Sequence, residues 1–168
     1  AAHGHIANVL AALHRPASQQ PQPVRRIMIA GGGRVGLRLA RQLGQAGGRF
    51  HIKIIEDHAD RCVELASALP PEVLVLQGDT TDEDLLGDEG IEEVDLFLAL
   101  TDDDEDNIMS CLLAKRMGAS RVLALINRRS YADLMHGTQI DIALSPAQAM
   151  LGELLAYVRQ GDVQAVHS

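Results

Sequence analysis

Between Arg25 and Glu56 the chain reads RRIMIAGGGRVGLRLARQLGQAGGRFHIKIIE, and few backbones accommodate such a stretch. An apolar run, Ile27 to Ala30, breaks into Gly31, Gly32 and Gly33 and then resumes with Val35, Leu39 and Leu43 at helical spacing. That is strand, turn and helix in succession. Gly31, Gly33 and Gly36 fill the three fixed places of G-x-G-x-x-G. Each meets a separate physical need, the first for a tight turn, the second for room to bring a pyrophosphate against bare backbone, and the third for close packing of helix on strand. The N–H groups that open the helix, at Arg34, Val35 and Gly36, have no intrahelical acceptors and carry the positive end of its dipole. An anion belongs there.

A second apolar run, Phe50 to Ile55, ends in Glu56, twenty residues beyond Gly36. There an acid accepts hydrogen bonds from ribose hydroxyls and repels a 2′-phosphate, which favours NAD over NADP. Alone, the glycine motif is weak evidence. Strand, turn, helix, second strand and terminal acid in one register turn it into an expectation of nucleotide binding. The plainer alternative is a glycine turn kept only for packing.

The rest of the chain repeats the alternation. Apolar runs at Val73–Leu76, Val94–Leu100, Arg121–Ile126 and Ile140–Leu144 are separated by helical patterns. These are Ala59–Leu69, the acidic TDEDLL begun by a threonine, a helix ending at Met117 before Gly118, a short one ended by Gly137, and a last one running to about Arg159. Thr101 with Asp104, and Ser130 with Asp133, read as capping boxes, and Ser145-Pro146 as an N-cap followed by proline at the first helical position. Six strands alternating with helices predict an α/β fold, a Rossmann-like doubly wound parallel six-stranded sheet in the order 3-2-1-4-5-6 with helices on both faces. Ile6, Val9, Leu10 and Leu13 place an amphipathic helix within residues 1–15, read as the tail of a preceding domain. Residues 16–23 form a proline-rich linker, 24–160 the nucleotide-binding lobe, and 161–168 the start of a following lobe. A chain that opens on Ala1 reads accordingly as a piece of a longer polypeptide.

In such a sheet ligands sit beyond the carboxyl ends of the strands, near the switch between the first and fourth. Those ends gather Gly31 to Gly36, then Glu56 and Asp57, then Gly78, Asp79 and Thr80, then Leu100, Thr101 and Asp102, then Asn127 and Arg128. Asp79 falls where an adenine amino edge would lie, or serves the turn. Arg34 reaches toward phosphates as a charge-assisted donor, or points to solvent beside Arg38 and Arg41. The run Asp102 to Asp106 reads as acids favoured in a helix's first turn, with a cation site as the alternative.

Composition narrows the partners. Aromatic residues make up 2% of the chain, Trp is absent and the formal net charge is −8, which argues against nucleic-acid binding through stacked bases or a basic surface. Cys62 and Cys111 are far apart, with no Cys-x-x-Cys or Cys/His metal spacing, and read as reduced, packed thiols. No catalytic set emerges either. His51 and His58 flank the second strand without a Ser or Cys partner, and no metal or catalytic residue is expected. Binding without turnover is the better reading, the alternative being an NAD-dependent oxidoreductase fragment lacking its catalytic domain. Two helices, Asp106 to Met117 and the last, with Met150, Leu151, Leu154, Leu155 and Val158, carry apolar bands broad enough for a subunit interface.

With RRIMIAGGGRVG, KIIE, LQGD, LFLALTDDDEDNIMSCLLAKRMGA, RVLALINRRSYADL and IDIALSPAQAM in hand, the chain resembles the regulator-of-potassium-conductance (RCK, or KTN) domains, and most closely the second such domain of two-domain members. The resemblance covers about Pro23 to Gly161, and the block from Leu96 to Ala119 is its most specific part. It implies a cytoplasmic regulatory domain, peripheral to the inner face of the cell membrane, that binds NAD or NADH, or alternatively ATP or ADP. It further implies pairing into a homodimer or larger ring and gating of a membrane potassium transporter or channel subunit. Carried over by motif, Gly31, Gly33, Gly36, Glu56, Asp79 and Thr101 would contact the nucleotide and Arg34 its phosphates. Gly32 and Arg34 depart from the simplest family pattern and leave the choice between NAD and ATP or ADP open.

Overall fold

The β-branched and leucine-rich runs form strands because both their faces are covered, as a parallel sheet requires. A computed structural model describes residues 23–144 and 151–159. In chain order these are β1 (Arg26–Ala30), α1 (Arg34–Gly44), β2 (His51–Glu56), α2 (Ala59–Ala68), β3 (Leu74–Gln77), α3 (Glu83–Asp88), a 3-10 turn (Ile91–Glu93), β4 (Leu96–Ala99), α4 (Asp104–Met117), β5 (Arg121–Ile126), α5 (Arg129–Leu134) and β6 (Asp141–Leu144). Residues 151–159 are helical and are called α6. The expected helix in 1–15, the linker up to residue 22, the Ser145-Pro146 cap, Met150 and residues 160–168 lie outside the described residues.

All six strands are parallel and lie in the order β3-β2-β1-β4-β5-β6, as the alternation predicts. Alternate residues of each strand supply two cores. Ile27, Ile29, Ile52, Ile54, Leu96, Leu98, Leu123 and Leu125 pack beneath Leu39 and Leu43 of α1, Leu65 of α2 and Leu154, Tyr157 and Val158 of α6. Met28, Ala30, Ile55, Phe97, Ala99, Val122, Ala124 and Ile126 pack beneath Leu86 of α3, Cys111 and Ala114 of α4 and Ala132 of α5. With the chain crossing from β3 over to β4 beside β1, the switch point lies at the carboxyl ends of β1 and β4, the place where ligands bind in such sheets.

Several local expectations shift. The fourth strand begins at Leu96 rather than Val94, because Asp95 turns its carboxylate to the N–H groups of Arg25 and Arg26, each at 2.8 Å, and so fixes the start of β1. α4 is capped by Asp103, whose Oδ1 accepts from the Asp106 N–H at 2.9 Å, and not by a Thr101–Asp104 box. Asp82, not a threonine, caps α3, and α5 has Arg128 at its cap position with no side-chain bond from Ser130. At α3 and α4 an acid outcompetes the hydroxyl, because Asp reaches the free amides with charge as well as a lone pair. Cys111 is fully buried, Cys62 is half-buried, and both are free thiols. Of α4's apolar band, Met109 and Leu112 are exposed, whereas Leu154, Tyr157 and Val158 bury one face of α6. Among the described residues no helix is long and apolar enough to cross a membrane.

Candidate functional site

The turn after β1 is held from two sides. Gly31 donates its N–H to the Ile55 carbonyl at 2.8 Å, and Leu100, just past β4, donates to the Ala30 carbonyl at 2.9 Å. Gly31 sits at φ +107, where a side chain is strained, and a Cβ there would lie 2.7 Å from Thr101 Cγ2. At Gly36 a Cβ would lie 2.0 Å from the Gly31 carbonyl oxygen, so α1 can approach β1 this closely only with glycine. Gly33 is different. A Cβ there would meet nothing within 4 Å, and the position faces open space. The three glycines thus divide turn, approach and packing among themselves as the motif requires.

Gly33 is also the N-cap of α1 and offers no side chain to the amides behind it. The N–H groups of Arg34, Val35 and Gly36 therefore point out of the helix without an intrahelical acceptor. Val35 is buried under the first turn, and Arg34 is exposed at its rim.

Glu56 closes the other side. It is only 8% exposed. Its Oε1 accepts from the Gly32 N–H at 2.8 Å, and its Oε2 accepts from the His58 N–H at 2.9 Å and lies 2.8 Å from His58 Nδ1. Burial pushes this carboxyl up, but the His58 and Gly32 amides and the His58 ring together outweigh it and hold it at about 2, against an ordinary 4.5. The group is an anion at any physiological pH. His58 is pushed the other way, upward, by its bond to Glu56 and by the charges of Asp57 and Glu56. Asp57 is exposed and reaches the same ring, with Oδ1 2.7 Å from Nδ1. The ligand atoms of Glu56, Asp57 and His58 lie within 4.8 Å of one another, a grouping accounted for by the one imidazole N–H the two carboxylates share.

The remaining expected residues fall around this site with unequal roles. Thr101 packs on Gly31 and gives its hydroxyl to Asn107 Oδ1 at 2.5 Å. Leu100 is buried beneath it. Asp79 is exposed and turns Oδ1 to the Thr81 N–H and hydroxyl, at 2.8 and 2.7 Å, which is the turn role weighed against adenine contact. Those bonds hold its carboxyl below the usual range. Thr80 follows in the same turn, half-buried. Gly78 donates to the Glu56 carbonyl at 3.0 Å and so sets this turn against the end of β2. The rim is acidic: burial raises the Asp106 carboxyl, and repulsion from Asp103, Asp79 and Asp57 raises it further.

Four residues support the site in roles that the sequence did not show. A Cβ at Gly32 would lie 2.3 Å from Leu65 Cδ1, so the second glycine is required by the packing of α2 on the loop. Arg61 donates Nε to the Gly32 carbonyl at 2.6 Å. Asp104, 3% exposed, accepts from the N–H groups of Asn127 and Arg128, both at 2.9 Å, and anchors the turn after β5. Asn107, fully buried, accepts from the Thr101 N–H at 3.1 Å and donates to the carbonyls of Thr101 and Leu125 at 3.0 and 2.8 Å. The one available signal was the polar Asn107 inside an otherwise apolar helical band. Of the acid run around it, Asp103 caps α4, Asp104 holds the turn after β5 and Glu105 accepts from the Tyr131 hydroxyl.

The fold and its site define a Rossmann-like domain with an open, amide-lined glycine turn facing a buried carboxylate. Comparison with known proteins gives the narrower assignment. The TrkA-N domain family matches residues 27–146, and the chain belongs to that family. It is 51% identical over 144 residues to the Trk system potassium uptake protein TrkA of Halomonas elongata, a match that covers 86% of this chain and 31% of the relative. Among solved structures, the NAD(P)-binding domain of an exopolyphosphatase-related protein from Archaeoglobus fulgidus superposes with a TM-score of 0.63 at 16% identity, covering 80% of this chain and 97% of that one. A structure of the GsuK channel bound to NAD gives 0.61 at 18% identity, covering 91% and 28%. The chain spans about a third of the length of the curated relatives it matches.

Proposed function

We propose that this chain is a nucleotide-sensing regulatory domain of a potassium uptake system, the second RCK domain of a TrkA-type protein. The observation that carries the reading is the pairing of a bare turn, open at Gly33, with the buried anion of Glu56. A pyrophosphate would sit on the amides of Arg34, Val35 and Gly36, with the Arg34 guanidinium at its edge. The ribose would take Glu56, with Asp57 beside it, and the adenine would lie between the Asp79–Thr80 turn and Leu100–Thr101. NAD or NADH is the expected ligand, with ATP or ADP as the alternative. The acidic rim favours the ligand with the fewest phosphates.

Membership in the TrkA-N family and the relatives named for Trk potassium uptake support the regulatory role. Residues 24–160 would be the sensing lobe, with 1–15 and 16–23 the tail and linker of a preceding domain and 161–168 the opening of a following one. The exposed Met109 and Leu112 on α4 suit a homodimer or ring that passes a ligand-dependent shift to a membrane potassium transporter subunit from the cytoplasmic side. The reading assigns no catalysis. Calorimetric titration with NAD, NADH, ADP and ATP tests it: saturable binding of at least one is expected, and no affinity for any of the four at millimolar concentration overturns it.

A further inference from the structure

The hydrogen bonds already made by Glu56 leave no place for a ribose diol unless something moves. Each carboxylate oxygen offers two in-plane acceptor positions. Oε1 gives one to the Gly32 N–H and keeps one. Oε2 gives both away, to the His58 N–H and to His58 Nδ1. That Nδ1 carries the proton follows from its neighbours, since Glu56 Oε2 and Asp57 Oδ1 are both acceptors. A cis-diol that engages both carboxylate oxygens must therefore displace one donor from Oε2. The His58 N–H is fixed by the entry into α2, where the His58 carbonyl accepts the Cys62 N–H. The ring is 80% exposed and free to swing outward.

We propose that the His58 imidazole is an internal competitor for the ribose-facing carboxylate, displaced when a ribonucleotide binds and harder to displace when it is protonated. This rests on the nucleotide-binding reading above and names a regulator of that same site. The charged groups around the ring all bear on its proton. Glu56 and Asp57 on its own loop favour the imidazolium. Arg61 of α2 is turned away to the Gly32 carbonyl, with Glu64 3.8 Å from its guanidinium. Asp79 beyond β3 is committed to Thr81, and Asp106 of α4 lies within the field of Asp57 and Asp79. Binding a diol breaks the ring's bond to Glu56, so the bound state holds the His58 proton less tightly. Affinity then falls as pH falls through the titration of His58.

The test compares ADP with 2′,3′-dideoxy-ADP by calorimetry between pH 5.5 and 8.5, on the chain as it stands and on His58→Gln. The two ligands share every phosphate titration, so their affinity ratio isolates the diol. The ratio is expected to fall by about two- to fivefold toward acid pH, the scale of an exposed charge pair, and to stay flat in His58→Gln. A ratio independent of pH, or the same slope in His58→Gln, overturns the competitor role while leaving nucleotide binding intact. Failure of ADP to bind at millimolar concentration at every pH overturns the competitor role, and the nucleotide reading falls with it only when NAD, NADH and ATP also fail to bind.

Discussion

Replacing Glu56 by Gln changes one oxygen to an amide and leaves the volume nearly untouched, so its effect reports the charge and acceptors at the site. The carboxylate receives the Gly32 N–H, the His58 N–H and the His58 ring. Gln keeps one oxygen, and whichever way its amide is placed an NH2 faces a backbone N–H. Hydrogen bonds to a charged group contribute about 1.5–3 kcal/mol each. The same bonds hold the carboxyl at about 2 rather than 4.5, which corresponds to ~3 kcal/mol of linkage. With one backbone bond kept by the Gln oxygen and the other lost, a loss of about 3 kcal/mol at neutral pH is expected. Because the folded-state value is depressed, the contribution is complete above the unfolded value and disappears as pH falls through about 2. Urea unfolding of both proteins at pH 7 and pH 3 is therefore expected to give the full deficit at pH 7 and less than half of it at pH 3. Equal stabilities at pH 7, or a deficit unchanged at pH 3, refute the assignment of these bonds to an ionised Glu56.

Other outcomes follow from the same geometry. Gly36→Ala places a Cβ against the Gly31 carbonyl oxygen and is expected to cost about 3 kcal/mol or more, because backbone cannot yield there. Gly33→Ala meets no atom and is expected to change stability by less than about 1 kcal/mol, yet to weaken nucleotide binding on the order of tenfold. Thermal melts paired with calorimetry separate the two, and equal melting temperatures for both variants contradict the separate roles of these glycines. Asn107→Ala leaves the half-buried Thr101 N–H and the buried Leu125 carbonyl without the Asn107 side chain and is expected to cost about 2–4 kcal/mol in urea unfolding; a cost under about 1 kcal/mol removes the latch between β4 and β5. Cys111, fully buried with its thiol pushed far up by that burial, is expected to resist thiol reagents at pH 8 until the chain unfolds.

The architecture was legible because hydrophobic runs and breakers act locally. Ile27 to Ala30, the glycines and the spaced Val35, Leu39 and Leu43 each carry a period that only one element satisfies, and right-handed crossovers then leave one strand order. The positions of the glycine turn and of Glu56 were legible to the same depth. The main-chain turn and Glu56 follow from register, and both fall where expected. What the sequence hid was the choice among neighbouring polar residues. Asp103 caps α4 in place of Thr101, and Asp104 and Asn107 reach across to β5, because tertiary neighbours decide which carboxylate meets which amide. Gly32 was hidden for a related reason: Leu65, 33 residues away, is what forbids a side chain there.

The most direct measurement is an amide NMR titration of the chain with NAD and with ADP. A cavity of about 370 Å³ opens at the opposite, amino end of the sheet between Arg26, Lys53, Leu74 and Glu89 and provides the internal control. Nucleotide held at the glycine turn predicts saturable shifts at Gly33, Arg34, Val35 and Gly36 and at His58, with Lys53 and Leu74 unmoved. Shifts confined to the amino-end cavity, or none at the glycine turn at saturating nucleotide, would contradict it.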